Sequence, residues 1–194
     1  MAKEGASDSH PRELARALLK KHKVVQPPTP LEAIVKAEGL EVVLRSWGNQ
    51  SRVDALLFRS HRLIAVNRDK PPVRQRFSLA HELGHYALNH DYLKRFGPDI
   101  DIDHPPEDSH PTTGPFEAQA NDFAGELLVP RALLITFRSE KEAAREEDSE
   151  PSFRPFADLA NRLRGRRLSE TELAKKFCVS NETIFIALKK NRLL

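Results

Sequence analysis

The chain has a single cysteine, Cys178, in 194 residues, which excludes an internal disulfide framework. No apolar run approaches the roughly 20 residues that a bilayer-spanning helix needs. The opening residues, MAKEGASDSHPRE, contain no apolar segment of the kind that directs secretion, and no internal repeat is evident. These absences set aside a disulfide scaffold, a membrane span and a repeat array. They lead to the expectation of a cytoplasmic protein without a membrane partner. What is present, 39% hydrophobic and 30% charged residues, suits a globular fold rather than wholesale disorder.

The net charge of +3 is unevenly spread. Residues 1–89 hold 15 basic and 9 acidic side chains, residues 90–150 hold 6 and 15, and residues 151–194 hold 10 and 4. A basic end raises nucleic acid as a partner, and an acidic middle raises a basic one; the plain alternative is solvated surface.

Pro11 and RELARALLKKH read as a helix with Leu14, Ala17, Leu18 and His22 at helical spacing. PLEAIVKAEG reads as a second, capped by Thr29 and followed by Gly39. LEVVLRSW, VDALLF and RLIAVN are β-branched and aliphatic, with a hairpin turn at Arg59-Ser60-His61. Pro71-Pro72 opens a helix running to about Asn89, and residues 91–114 form a long acidic, proline-rich loop. PFEAQANDFAGELLVP is another amphipathic helix, with Phe116, Ala120, Phe123, Ala124, Leu127 and Leu128 facing the core. A short helix near ALLITF, a charged linker and three C-terminal helices follow. The expected fold is α+β and mainly helical, a small sheet flanking the central helix. The expected division is 1–138, 139–155 as linker, and 156–194 as a helical module.

Residues 77–90, FSLAHELGHYALNH, place two histidines and a glutamate in an otherwise apolar helix, where burial without partners is costly. His81 and His85 are four apart, so both imidazoles can reach one divalent ion such as zinc. Glu82, rotated about 100° from His81, suits a general base that takes a proton from attacking water. With 8 His and 17 Glu, a shuffled chain contains HExxH in roughly 3% of cases. A catalytic zinc wants a third protein ligand. Glu117 and Glu126 are the candidates, Glu126 having a surface or capping charge as its plain role; Glu117 is favoured because Asn121, four residues on, can accept from the far nitrogen of a liganding histidine, and by the resemblance described below. Tyr86 is a candidate oxyanion stabiliser, its alternative being packing with a wet tip. His90 is read as a helix-end or supporting contact, and His104 and His110 as exposed loop residues.

RFSLAHELGHYALNH followed by FEAQANDFAGELLVP resembles the ImmA/IrrE family of metallopeptidase-like proteins, of gluzincin type. The lead-in RELARALLKKHKV and the terminal LAKKFCVSNETIFIALKKNRLL extend the likeness from about residue 12 to the end. The resemblance implies metal ligands at His81, His85 and Glu117, a general base at Glu82 and a supporting Asn121. It implies Zn2+ as cofactor, with Mn2+ in some members. The implied activity is site-specific cleavage of a helix-turn-helix transcriptional repressor, releasing mobile-element or stress-response genes. The radiation-response branch carries a further GAF-like domain, which is expected to be missing here; if the protein is of that branch, its signal is expected by another route.

LSETELAKKFCVSNETIFIALKKN has the form of a helix-turn-helix, capped by Ser169 and Ser180, with Cys178 expected as a small buried residue at the break. Either this unit binds DNA directly, or it packs on the peptidase and shapes its cleft. The alternative functions are a non-catalytic metal-containing regulator acting through these helices, or a zincin with another protein target. If the acidic middle attracts a basic substrate, cleavage slows as ionic strength rises. Initial rates across a salt series check this, and a flat profile removes the steering idea.

Overall fold

Proline, glycine and charge set the helix ends in the computed structural model, which describes residues 10–48, 50–90, 114–139 and 168–194. Helix α1 (His10–Lys21) has Pro11 and Glu13 in its first turn and Lys20 and Lys21 in its last, matching the helix dipole. It buries Pro11, Ala15 and Leu19. Ala17, expected inside, is exposed instead, because α1 is turned so that Arg16 reaches Glu126. Helix α2 (Leu31–Ala37) ends before Gly39, whose φ of +75° favours glycine. Thr29 does not cap α2; the N-cap is Pro30. Instead the buried Thr29 hydroxyl donates to the Leu127 carbonyl at 2.8 Å, satisfying a helix-end acceptor from across the core.

Strands β1 (Glu41–Arg45), β2 (Ala55–Phe58) and β3 (Leu63–Asn67) form one sheet in the order β1-β3-β2. β1 is parallel to β3, and β2 is antiparallel to it. All four β2 residues are buried, so both faces of the sheet are covered. Ala55, Leu57, Ile64 and Val66 join the main core. Leu56, Phe58 and Ala65 join a smaller cluster with Val53, against which Trp47 packs. A 3-10 turn (Arg59–His61) joins β2 to β3, closing on Arg62 at φ +51°.

Helix α3 (Pro72–Ala87) carries the HExxH segment and lies against β2, β3 and helix α4 (Pro115–Leu128). α3 and α4 cross at Gly84. A Cβ there would sit 3.0 Å from Phe123 Cδ1 and 3.3 Å from the Ala120 backbone, so only hydrogen fits comfortably. Ala120, Phe123, Ala124, Leu127 and Leu128 fill the core as expected. Phe116 does not; it is 54% exposed, at the first turn of α4, and its ring stacks on His90 instead.

Helix α5 (Arg131–Ser139) follows Pro130. The C-terminal unit is helix α6 (Glu170–Phe177), a short turn, and helix α7 (Asn181–Lys190). Ser169 and Glu172 form a capping box, and Ser180 accepts from the Thr183 N–H. Leu173, Ala174, Phe177, Val179, Ile184 and Leu188 are buried as expected. Cys178 is not a buried residue: it is exposed at φ +54°, the left-handed position that ends α6, and Val179 takes the inward place. Phe137 of α5 meets Phe177 edge-on at 6.1 Å, joining this unit to the rest. The fold is α+β and mainly helical, with a small mixed sheet. No described helix is long and apolar enough to cross a membrane. Of the expected loop over 91–114, all but Gly114 lies outside the described residues, His104 and His110 included, as do the expected 139–155 linker beyond Ser139 and the first of the three C-terminal helices.

Gly84→Val adds branched carbon at the crossing with only a few tenths of a kcal/mol gained in helix propensity, and overpacking of this kind costs about 1–3 kcal/mol. Urea denaturation checks it. An unchanged midpoint with an unchanged slope would mean that α3 and α4 do not cross closely there.

Candidate metal centre

The spacing within α3 and the crossing at Gly84 bring three donor atoms to one point. His81 Nε2 lies 3.1 Å from Glu117 Oε2, His85 Nε2 lies 3.2 Å from Glu117 Oε1, and the two Nε2 atoms are 3.0 Å apart. These three side chains form a group able to hold a metal ion. Zinc bonds of 2.0–2.1 Å in a tetrahedron put neighbouring donors roughly 3.3 Å apart, close to the spacing found here.

The outer nitrogens decide which way the inner ones face. His81 Nδ1 is 3.0 Å from Asn121 Oδ1, an acceptor only, so that nitrogen donates. In a neutral ring Nε2 then carries a lone pair. His85 Nδ1 is 3.1 Å from His90 Nδ1, and His90 Nε2 is 2.9 Å from Gln119 Oε1. Gln119 Oε1 accepts from the His90 Nε2–H, His90 Nδ1 accepts from the His85 Nδ1–H, and His85 Nε2 is likewise left with its lone pair. Two lone pairs and a carboxylate facing one another call for a cation. Burial pushes the Glu117 carboxyl up, but His81 and His85 outweigh it through hydrogen bonding and charge, holding it well below the ordinary carboxylate range. A proton shared from an imidazole answers that demand in part; a divalent ion answers it fully.

Burial pushes His90 below the ordinary imidazole value, the Gln119 bond opposing, so His90 is neutral at pH 7. Its ring stacks on Phe116 at 4.4 Å and 25°. Arg59, from the turn after β2, donates through Nη2 to the carbonyls of His85 at 2.8 Å, Tyr86 at 2.9 Å and His90 at 3.4 Å. It thereby closes the C-terminal end of α3, whose last carbonyls lack partners within the helix. Arg62 does the same for α2 at Glu38 and Gly39. Both guanidinium groups lie over the Tyr86 ring, 5.0 and 5.8 Å from its centre.

The expected residues fall as follows. His81, His85 and Glu117 converge, and Asn121 supports His81. Glu82, one residue beyond His81, is 1% exposed. Glu126 stands apart, bound by Arg16 at 2.9 Å and by the Arg131 N–H at 3.2 Å, so it ties α1 to the start of α5. Side-chain exposure is 11% at His81, 10% at Glu117 and 0% at His85, so the centre is approached from the His81 side. A cleft of about 710 Å³ borders that side, lined by Val73, Phe77, Asn121, Val129, Ile186 and Ala187 among others. Phe77 lies one turn before His81, with ring centres 6.5 Å apart. Sequence reasoning did not find Gln119 or Arg59. Gln119 is two residues from Glu117, off any four-residue rule, and Arg59 acts 26 to 31 positions away.

Chain stripped with chelator is expected to regain one divalent ion and gain stability, by about 4 kcal/mol when free ion exceeds Kd by 1,000-fold. His81→Ala, His85→Ala and Glu117→Ala each abolish the gain. Affinity falls as pH drops through the histidine range, because the ligands must be deprotonated to bind. Calorimetric titration and thermal melts check this; wild-type binding in the Glu117 variant would remove it from the ligand set.

A family model described as the Peptidase M78, IrrE N-terminal-like domain matches residues 36–189. A solved structure titled as a Mycobacterium tuberculosis transcriptional regulator is similar in fold, with a TM-score of 0.52 at 14% identity. The match covers 90% of this chain and 44% of that one, so the chain spans under half its length. A comparison with curated sequences found no match. The family match over most of the sequence and the His81, His85 and Glu117 cluster agree, and the chain belongs to the IrrE N-terminal-like Peptidase M78 family, the ImmA/IrrE metallopeptidases.

Proposed function

We propose that this protein is a site-specific metallo-endopeptidase that cleaves a helix-turn-helix transcriptional repressor, with Zn2+ as its ion and Mn2+ as the substitute. The observation that carries the reading is the convergence of two imidazoles and one carboxylate within 3.2 Å, the imidazoles on a helix whose next residue after His81 is the buried Glu82. Two nitrogens and a carboxylate oxygen form a donor set that suits zinc and leaves room for a fourth position. The ion, when bound, supplies Lewis-acid polarisation of the scissile carbonyl and acidifies the attacking water. Glu82 takes that water's proton and passes it to the leaving amine. Asn121 holds the His81 ring in register. The Tyr86 ring lies under Arg59 and Arg62, which favours a packing role over oxyanion stabilisation.

Substrate is taken to lie extended along β2, an edge strand of the sheet, at Ala55–Phe58, adding main-chain hydrogen bonds. The 710 Å³ cleft beyond Asn121 receives residues further along. α7 lines that cleft, and its Lys190 pairs with Asp122 of α4. This favours substrate recognition by the C-terminal unit over DNA reading, as does the absence of arginine from NETIFIALKK.

Glu82→Gln is the discriminating variant. It keeps the metal affinity and loses cleavage of a candidate repressor by a factor of about 10²–10⁴. Fragment masses from reactions with and without chelator identify the bond. Should the variant cut as fast as wild type, or should chelator make no difference, the peptidase mechanism is wrong. A regulator that works through binding alone would retain its effect in that variant.

A further inference from the structure

We propose that Gln119 and His90 are positioning residues that fix the tautomer of His85, and through it the affinity of the metal centre; the proposal rests on the metal-centre reading above. His81 has its own acceptor in Asn121, on the same helix as Glu117. His85 is served differently. Its Nδ1 meets another imidazole, 3.1 Å away, and an imidazole can present either a donor or an acceptor. Unaided, His90 would leave His85 undetermined: with its proton on Nδ1 it would force His85 to accept there and to point N–H at the ligand site.

Gln119 removes that ambiguity. Its Oε1, 2.9 Å from His90 Nε2, accepts only, so the His90 proton stays on the far side and Nδ1 faces His85 as an acceptor. Two further contacts hold His90 where this works. Its ring lies against Phe116 at 4.4 Å, and Arg59 donates to its backbone carbonyl and to that of His85. His90 is 5% exposed and His85 fully buried, so water does not readily replace the missing partner. The relay joins α4, which supplies Glu117, to the turn that follows α3, the helix that supplies both histidines. The wrong tautomer at His85 places a proton where a lone pair must bind, which is a loss of one ligand rather than a weaker contact. Metal centres whose outer hydrogen bonds are cut lose roughly 10- to 100-fold in affinity.

The test reads the tautomer directly. In metal-free wild type at mildly alkaline pH, ¹⁵N imidazole shifts show His85 with its proton on Nδ1. In Gln119→Leu the two tautomers mix, and zinc affinity, measured by competition with a chelating dye, falls roughly 10- to 100-fold. Gln119→Glu keeps an acceptor and so keeps both the Nδ1–H form and the affinity. In a His90→Asp background the carboxylate can only accept from His85, so adding Gln119→Leu changes nothing. A wild-type His85 protonated chiefly on Nε2 overturns the proposal without reference to any variant. So does a Gln119→Leu protein that binds zinc within about threefold of wild type. If wild type binds no divalent ion at all, the metal-centre reading fails, while the tautomer measurement still judges the relay by itself.

Discussion

Two imidazole nitrogens lie 3.0 Å apart and each lies within 3.2 Å of one oxygen of the same carboxylate, so two helices hold three metal-binding side chains face to face. A proton shared from an imidazole holds the carboxylate in part, and a divalent ion among them does so fully, an attraction that a buried place screens poorly. The rest of the fold serves to keep them together. Gly84 lets α3 and α4 approach at the level of the histidines, where a side chain would meet Phe123 and the Ala120 backbone. The α4 face that carries Glu117 and Asn121 can reach the histidines of α3 because of that approach.

The sheet contributes more than a wall. The turn between β2 and β3 sends Arg59 to the end of α3 and Arg62 to the end of α2, with both guanidinium groups over Tyr86. Each arginine satisfies carbonyls that a helix end leaves without partners, and each couples a strand turn to a helix terminus. The Arg59 contacts reach the backbone of His85 and His90, so the sheet and the metal centre are mechanically one unit. Ion pairs do the same on the opposite side: Arg16 with Glu126 joins α1 to α4, and Lys190 with Asp122 joins α7 to α4. With Arg16 and Lys190 nearly half exposed, each pair adds little stability.

The C-terminal helices take their place within this frame. Phe177, Ile184 and Leu173 are buried, and the Phe137 ring closes against Phe177. α7 thus presents Ile186 and Ala187 to the cleft that borders Asn121 and Phe77. A motif whose outline suggests nucleic acid is here part of the wall of a cleft that it shares with α3 and α4.

Local chemistry explains which parts were legible in the sequence. HExxH, the Glu117–Asn121 spacing, the prolines that open α3 and α4, and the serine caps of α6 and α7 all act within one turn of helix, so sequence spacing alone determined them. The α+β class followed from the same periodicities. Tertiary structure decided what lies across elements. Thr29 turned from capping α2 to bonding Leu127, Phe116 left the core for the His90 ring, Cys178 turned outward at a left-handed turn, and Ala17 gave up the inner face of α1 to Ala15. Gln119 and Arg59 acquired roles no local pattern encodes. The physical reason is that a hydrogen bond or a packing contact depends on distance in space, and chain spacing predicts that distance only inside a single regular element.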